Sequence, residues 1–436
     1  MTRRDRRDAI KAVGAGVGLG GIGAVAGCLG DDADGDVADG DGNGTTDGNA
    51  TDGGPSDGSI TLGLQVDRTG ALSAYGFWHE RTVRSYVDAL NADGGIGGRT
   101  VDLVVEDTGS DQAQAGTTMR RLVQQQGADV VIGSQSSGVS IASTALAKRF
   151  EVPYFPLGEA PSITGADGNR WVLRNNHSTK QTAIAAVDWG VEELGTKWTT
   201  VYQDYSFGQQ YNEAVKQRLD RTGGEVLEEI AVPTGTSDLA PYLNKVPDDT
   251  EVLFNALIGG SSTAFLRQSV DLDVPGERLG AIASVEGVDL SGVPDAADGA
   301  KYVTALPREP DQVDHPANDH LREIAGVDET DETLVGGHYW ASYEAVSWIA
   351  DAVEATDWDA EDGDGRALVE WFETGPSVER TEAYPQGAKF FRPEDHQAFM
   401  DLHIEEIADD RLEVVDAIAI DEPPFEAPVD YTAQSF

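Results

Sequence analysis

One cysteine, eight lysines and three methionines in 436 residues set the first limits on this chain. A single thiol, Cys28, leaves no intrachain disulfide, so the fold rests on packing alone. Basic residues are scarce, with 31 Lys and Arg against 77 Asp and Glu and a formal charge of −46. That deficit excludes nucleic acid as a natural partner, because phosphate contacts need a basic surface. Catalytic signatures are missing too: there is no H-E-x-x-H, no Walker loop and no G-x-G-x-x-G after the first strand. The stretch Gly133-Ser134-Gln135-Ser136-Ser137-Gly138 lacks the G-x-S-x-G spacing of a nucleophile elbow. His315/His320 and His396/His403 are too loosely spaced for zinc, and histidines beside an acidic surface are expected in solvent, so neither a metal nor a cofactor is expected. A secreted hydrolase is the least favoured reading.

What is present begins at the amino end. Arg6-Arg7-Asp8-Ala9-Ile10-Lys11 leads into a Gly/Ala-rich apolar run and then Val25-Ala26-Gly27-Cys28. This order is similar to a twin-arginine export signal ending in a lipobox, which makes Cys28 the lipidated first residue of the mature chain. The alternative is a transmembrane anchor, but the small residues of 12–30 supply little of the apolar weight that about 20 spanning residues need. Residues 29–58 carry nine Asp and almost nothing that packs, and read as a solvated tether. Asp39, Asp41, Asn43 and Gly44 mimic the start of a calcium loop, yet its twelfth position is Ala50 where a bidentate Glu is needed. Asn43, Asn49 and Asn176 fit the N-glycosylation pattern. Removing residues 1–27 leaves an even more acidic chain, a composition expected of a fold that needs molar salt to screen its own charge.

From Ser59 strands and helices alternate. Expected strands are 60–66, 101–106, 129–133 and 152–157, with helices around 83–90 and 113–126 and another after Gly138. The rhythm restarts near residue 180 with helices 181–194, 209–222 and 262–270 and strands 199–203, 225–232, 251–257 and 279–283. Such a βαβ series predicts an α/β fold of parallel sheets covered by helices, in two lobes because some 378 residues exceed one core.

Motifs in order along the chain carry a family resemblance. Asn91-Ala92-Asp93-Gly94-Gly95-Ile96-Gly97-Gly98, Glu106-Asp107, Val131-Ile132-Gly133 before Ser136-Ser137, Tyr205-Ser206-Phe207-Gly208, residues 236–241 and Tyr343-Glu344-Ala345-Val346 resemble the branched-chain amino-acid binding proteins of ABC transporters, of the type I periplasmic binding protein fold. The resemblance implies a clamshell of two Rossmann-like lobes joined by three crossovers, with lobe I formed by 59–176 and 306–385 and lobe II by 177–305 and 386–436. It implies residues 394–397 and the chain beyond them packed on lobe II. It also implies a small-molecule solute, an amino acid or related amide, a membrane permease as partner, a monomer, and export to the outer face of the cytoplasmic membrane on the Cys28 lipid. The same clamshell feeding a membrane receptor as a sensor is the alternative.

Candidate ligand residues lie where the sheets end. In open α/β sheets, ligands sit where strand ends face helix N-termini. Gln135, Ser136 and Ser137 lie at such a point, either capping the helix or holding a carboxylate, the role the resemblance gives Ser137. The resemblance makes Tyr75 an aromatic cover, with Phe77 and Trp78 as added wall, and Glu286 the partner of a solute ammonium. It adds Ser178, and puts Phe207 where the family has tyrosine, with Tyr205 to supply the hydroxyl. Two positions depart from the family: Glu159 replaces a small hydroxyl residue, and Gly259-Gly260 an aromatic. A carboxylate at 159 repels a solute carboxylate unless a cation lies between, so a cationic or carboxylate-free solute is expected to fit as well.

Overall fold

The computed structural model describes residues 58–286, 288–294, 297–327, 338–359 and 364–436. Arg6, Arg7, Cys28, the tether, Asn43 and Asn49 lie outside these residues. Among the described residues no helix is long and apolar enough to cross a membrane.

Strand β1 (Ile60–Val66) is buried along its whole length, as a parallel strand covered on both faces must be. It pairs in parallel with β2 (Val101–Asp107) and β3 (Val130–Gly133), and β3 pairs with the short β4 (Tyr154–Phe155), giving the order β2-β1-β3-β4. The helix Ser73–Ala92 packs on this sheet with Val83, Tyr86, Val87 and Leu90 inward, at helical spacing. It ends where Gly94 and Gly95 take φ values of 96° and 76°. Asn91 then clasps Val101 through both its amide atoms at 2.8 Å, tying the helix end to β2. The helix expected over 113–126 is broken into a 3-10 turn, the α-helix Ala115–Arg120 and a π turn Arg121–Gln125.

The second sheet has seven strands in the order β14-β13-β9-β8-β7-β5-β6. Strands β5 (Lys197–Gln203), β6 (Glu225–Val232), β7 (Val252–Ala256), β8 (Glu277–Ala281) and β9 (Lys301–Thr304) are mutually parallel. The sequence reading missed its antiparallel edge, the hairpin β13 (Leu402–Ala408) and β14 (Arg411–Ile418), which turns at Asp409-Asp410 with φ values of 50° and 65°. Two consecutive residues at positive φ match the twist of a tight hairpin, and Asp tolerates that region.

Residues 396–398 pair with the segment beside β4, where Arg174 N donates to His396 O at 3.0 Å and Ala398 N to Arg174 O at 2.9 Å, and Ala398 O also accepts from Gln181 Nε2 at 2.8 Å. This C-terminal stretch joins the seven-stranded sheet from Leu402 onward. The buried Arg174 guanidinium donates to Gln397, Ala160 and Thr164, which locks this junction. Further along, Tyr431 donates to Gly165 O and Phe436 packs on Trp171. Strands β10 (Ser377–Val378), β11 (Lys389–Arg392) and β12 (Gln397–Met400) form a small antiparallel sheet. Its Phe391, with Phe372 and Tyr384, surrounds Trp348 of the helix Tyr339–Thr356.

Candidate ligand-binding site

The site grows from the carboxyl end of β1. The buried Asp67 carboxylate accepts from Thr108 Oγ1 at 2.5 Å, Ser134 Oγ at 2.7 Å, Gln135 N at 3.0 Å and Ser136 N at 3.4 Å. Burial raises the Asp67 carboxyl above the ordinary range although these donors pull it down. Two glycines permit the close approach. A Cβ at Gly76 would fall 2.1 Å from Asp67 O, and one at Gly133, where φ is 111°, would fall 1.9 Å from Gln65 O. The helix Ser73–Ala92 and the 133–137 turn therefore press on the strand ends, bringing Tyr75, His79 and Gln135 to one place.

From Gln135 the network runs outward. Its Oε1 accepts from His79 Nε2 at 3.2 Å, and its Nε2 donates to Glu159 Oε1 at 2.8 Å. On the far side His79 Nδ1 meets Ser342 Oγ at 2.9 Å. Burial, followed by the charge on His338, lowers the His79 pKa to about 4, so this ring is neutral. Glu159 is buried between two imidazoles, with His338 Nε2 2.8 Å from Oε1 and His177 Nε2 3.3 Å from Oε2. Burial alone would raise the Glu159 carboxyl, but His338 and then His177 outweigh it and hold it ionised.

His338 is the meeting point. It precedes the helix Tyr339–Thr356, which packs on Ser73–Ala92 beside the four-stranded sheet. Its Nδ1 bonds Glu286 Oε2, and its backbone N donates to Glu286 Oε1 at 3.2 Å. Glu286 follows β8 of the other sheet, so Glu286 and Glu159 approach one imidazole from the two sheets. Burial lowers the His338 pKa, but Glu286 and Glu159 raise it well above ordinary, and the ring is an imidazolium. Burial lowers the His177 pKa, against the pull of Glu159. Two carboxylates and one imidazolium, with two neutral imidazoles, leave the enclosure with an excess of negative charge.

Other expected site residues fall around this centre or serve elsewhere. The half-buried Tyr75 ring stands edge-on to His338 at 5.9 Å, and burial, then Glu286 and Glu159, push its hydroxyl pKa up. Tyr205 lies near Glu159 and Asp67, starts the helix Ser206–Thr222 and stacks on Phe207 at 5.9 Å. Phe207 is buried between Tyr205 and Tyr211, a core residue more than a cleft wall. Ser136 caps the helix Ser137–Phe150 by accepting from Val139 N at 3.5 Å. Ser137 Oγ accepts from Ala160 N at 3.3 Å, so the expected carboxylate holder has a structural bond of its own. Ser178 Oγ is buried and has no hydrogen-bond partner among the described residues.

Three expectations are corrected by this geometry. Phe77 is 55% exposed and lies under Arg81, so it walls no cleft. Asn176 is fully buried with its Nδ2 donated to Leu157 O, which removes it from glycan acceptors of the folded chain. His79, His177, His338 and His396 are buried, contrary to the expectation of solvated histidines. The first three were missed as site residues because separations of about a hundred residues and more form no motif. The available signal was scarcity: of seven histidines, three converge on one point.

Residues 59–411 match the family model described as periplasmic binding protein. The "Leu/Ile/Val-binding protein homolog 6" of Brucella abortus is 24% identical over 275 residues, which span 62% of this chain and 67% of that protein. Among solved structures, an ABC-transporter solute-binding protein from R. palustris in complex with benzoate superposes with a TM-score of 0.72 at 21% identity, covering 84% of this chain and 98% of its own. A branched-chain amino-acid ABC transporter protein from Rhodopseudomonas palustris gives 0.67 at 22% identity over 85% of this chain and 99% of its own. With an α/β fold of two large sheets and a charged site between them, this chain belongs to the periplasmic binding protein family, a family of solute-binding proteins and not of enzymes.

Proposed function

We propose that this chain is the extracytoplasmic solute-binding lipoprotein of an ABC importer, holding an amino acid or related small amide between the two sheets. The observation that carries the reading is the convergence of Glu159 and Glu286, from opposite sheets, on His338 beside Tyr75. A solute seated there touches both units, so it binds the closed form better than an open one, and only such a difference drives closure. A permease then reads the closed form. The excess negative charge favours a solute that brings a positive group, such as an amino acid with a cationic side chain, while Tyr75 and Tyr205 supply aromatic faces for it.

The finer points of localisation belong to the same proposal. Arg6 and Arg7 direct export, Cys28 carries the lipid, the Asp-rich tether keeps the clamshell off the membrane, and the acidic surface suits a salt-rich medium. Lobe I is 59–176 with 306–385 and lobe II is 177–305 with 386–436, with Tyr431 and Phe436 reaching back to Gly165 and Trp171 of the first lobe.

The test is a thermal-shift screen of the mature chain in about 3 M KCl, where screening acts within about 2 Å. Branched-chain, cationic and acidic amino acids, short amides, urea and polyamines form the panel. A raised unfolding temperature with amino acids or amides, largest for cationic ones, is the expected result. No shift with any solute of the panel overturns the proposal.

A further inference from the structure

We propose that Glu159, His177 and His338 form a binding site for a divalent metal ion of the zinc class, with an open coordination position that the solute completes. The proposal rests on the solute-binding reading above and deepens it. One ligand atom from each of the three residues lies within 4.8 Å of the others, and all three side chains are buried. Around a tetrahedral ion at about 2.0–2.2 Å from nitrogen and oxygen ligands, neighbouring ligand atoms stand roughly 3.4 Å apart. The separations here are 2.8 Å for His338 Nε2 to Glu159 Oε1 and 3.3 Å for His177 Nε2 to Glu159 Oε2. Those two separations lie within about 0.6 Å of that spacing, and the third, between the two imidazoles, is within 4.8 Å, so a small closing movement admits the ion.

A second, independent observation points to a ligand. His338 Nε2 is buried with no hydrogen-bond partner among the described residues, so its 2.8 Å approach to Glu159 is close without being aligned as a hydrogen bond. Leaving such an atom unsatisfied in a dry site is costly, and a metal on its deprotonated lone pair removes that cost. The orientation fits as well. Glu286 accepts from Nδ1–H of His338, so that loss of the Nε2 proton to an incoming ion leaves the Nδ1–H tautomer with Nε2 facing the site, the arrangement by which carboxylates orient metal-ligating histidines. Gln135 holds the Glu159 carboxylate in place through its Nε2. Two imidazoles select a borderline ion over Mg²⁺ or Ca²⁺, which prefer oxygen cages.

The chemistry balances simply. A divalent ion enters, His338 releases the proton on its Nε2, and the three residues hold the ion with one place left for a solute oxygen or nitrogen. That arrangement resolves the difficulty Glu159 poses for an amino acid. The ion lies between the two carboxylates, so repulsion becomes a bridge.

Titration of the chelator-stripped full chain with Co²⁺ alone, in high salt, tests this. One equivalent with the intense visible absorption of a four-coordinate site, displaced by Zn²⁺, is the expected result. His177→Ala and Glu159→Gln should abolish that band, Glu286→Gln should weaken the affinity about 10–100-fold, and His315→Ala should leave it unchanged. Circular dichroism establishes that each variant is folded, and His177→Gln replaces any that is not. Weak binding at exposed carboxylates, unchanged by His177→Ala, overturns the site. Solute shifts that persist after chelation, with no Co²⁺ band, remove the metal and leave the binding-protein reading standing. Absence of both removes the two together.

Discussion

The two sides of the cleft are built differently. On the side of the four-stranded sheet, the 133–137 turn is pinned by three donors to Asp67, which also accepts from Thr108, and its Gln135 side chain is engaged at both ends. On the side of the seven-stranded sheet, Glu286 reaches across to His338 with its carboxylate, and Tyr205 lies near Glu159 at the start of a helix. One side is a pre-organised platform, while the other makes its site contacts across the interface. Affinity in such a design comes from a platform already ordered before the solute arrives, and selectivity for the closed form comes from the contacts that exist only after closure.

The largest expected effect comes from breaking the platform. Asp67→Ala leaves the hydroxyls of Thr108 and Ser134 and the N–H groups of Gln135 and Ser136 without their acceptor in a buried site. With roughly 1–3 kcal/mol for each buried group left unsatisfied, and partial relaxation, the variant should lose about 3–5 kcal/mol of stability in urea unfolding at high salt. A loss below about 1 kcal/mol would show that the turn holds itself. The cross-cleft contact should behave in the opposite way. Glu286→Ala is expected to lower solute affinity by about 2 kcal/mol in calorimetry and to change the unfolding midpoint much less, because the pair it breaks joins the units across the cleft. Equal losses in both measurements would place Glu286 with the platform.

The two sides also differ in their response to pH. On the platform, His79 is neutral when folded, its pKa being lowered to about 4, first by burial and then by His338, with Gln135, Glu286 and Glu159 opposing. As pH falls from about 6.5 towards 4, the unfolded chain gains a proton that the folded chain refuses, so stability falls. In the other sheet burial raises the Glu405 carboxyl to about 8, against the Arg308 backbone N–H and charge. As pH rises from about 4.5 to 8, the unfolded chain loses a proton that the folded chain keeps, so stability again falls. His79→Gln should flatten the acid limb and Glu405→Gln the alkaline limb, each by up to about 1.4 kcal/mol per pH unit. A single limb altered by both variants would contradict the assignment of each to its own sheet.

How much of this was legible in the sequence divides along the same line. The 130–138 segment of the platform was read because its signals are local, an apolar strand, a Gly-rich turn and a hydroxyl-rich helix start, whereas its anchor Asp67 carries no such signal and was not. Tyr75, Gln135, Glu159 and Glu286 were reached through a resemblance carried by such segments. His79, His177 and His338 were not, because their convergence depends on a helix, a crossover segment and a second helix start far apart in the chain. The hairpin β13–β14 was missed for a related reason. Its strands come after the alternating helices as an antiparallel edge, which a βαβ rhythm does not anticipate.

The smallest expected effect separates two serines that the sequence treated alike. Ser137 Oγ accepts from Ala160 N, so Ser137→Ala leaves a buried N–H without its acceptor and should cost about 1 kcal/mol of stability before any solute is present. Ser178 Oγ is buried without a partner among the described residues, so Ser178→Ala removes a group that contributes nothing to the unliganded fold. Its unfolding midpoint should stay level or rise slightly, while solute affinity falls by about 0.5–1.5 kcal/mol if the hydroxyl serves the solute. Calorimetry of both variants beside urea unfolding separates the roles. A Ser137→Ala protein of unchanged stability and weakened binding would return the carboxylate role to Ser137, and a Ser178→Ala protein of unchanged affinity would take Ser178 out of the site. The platform then consists of groups whose bonds are already made, and the solute is held by those whose bonds are still open.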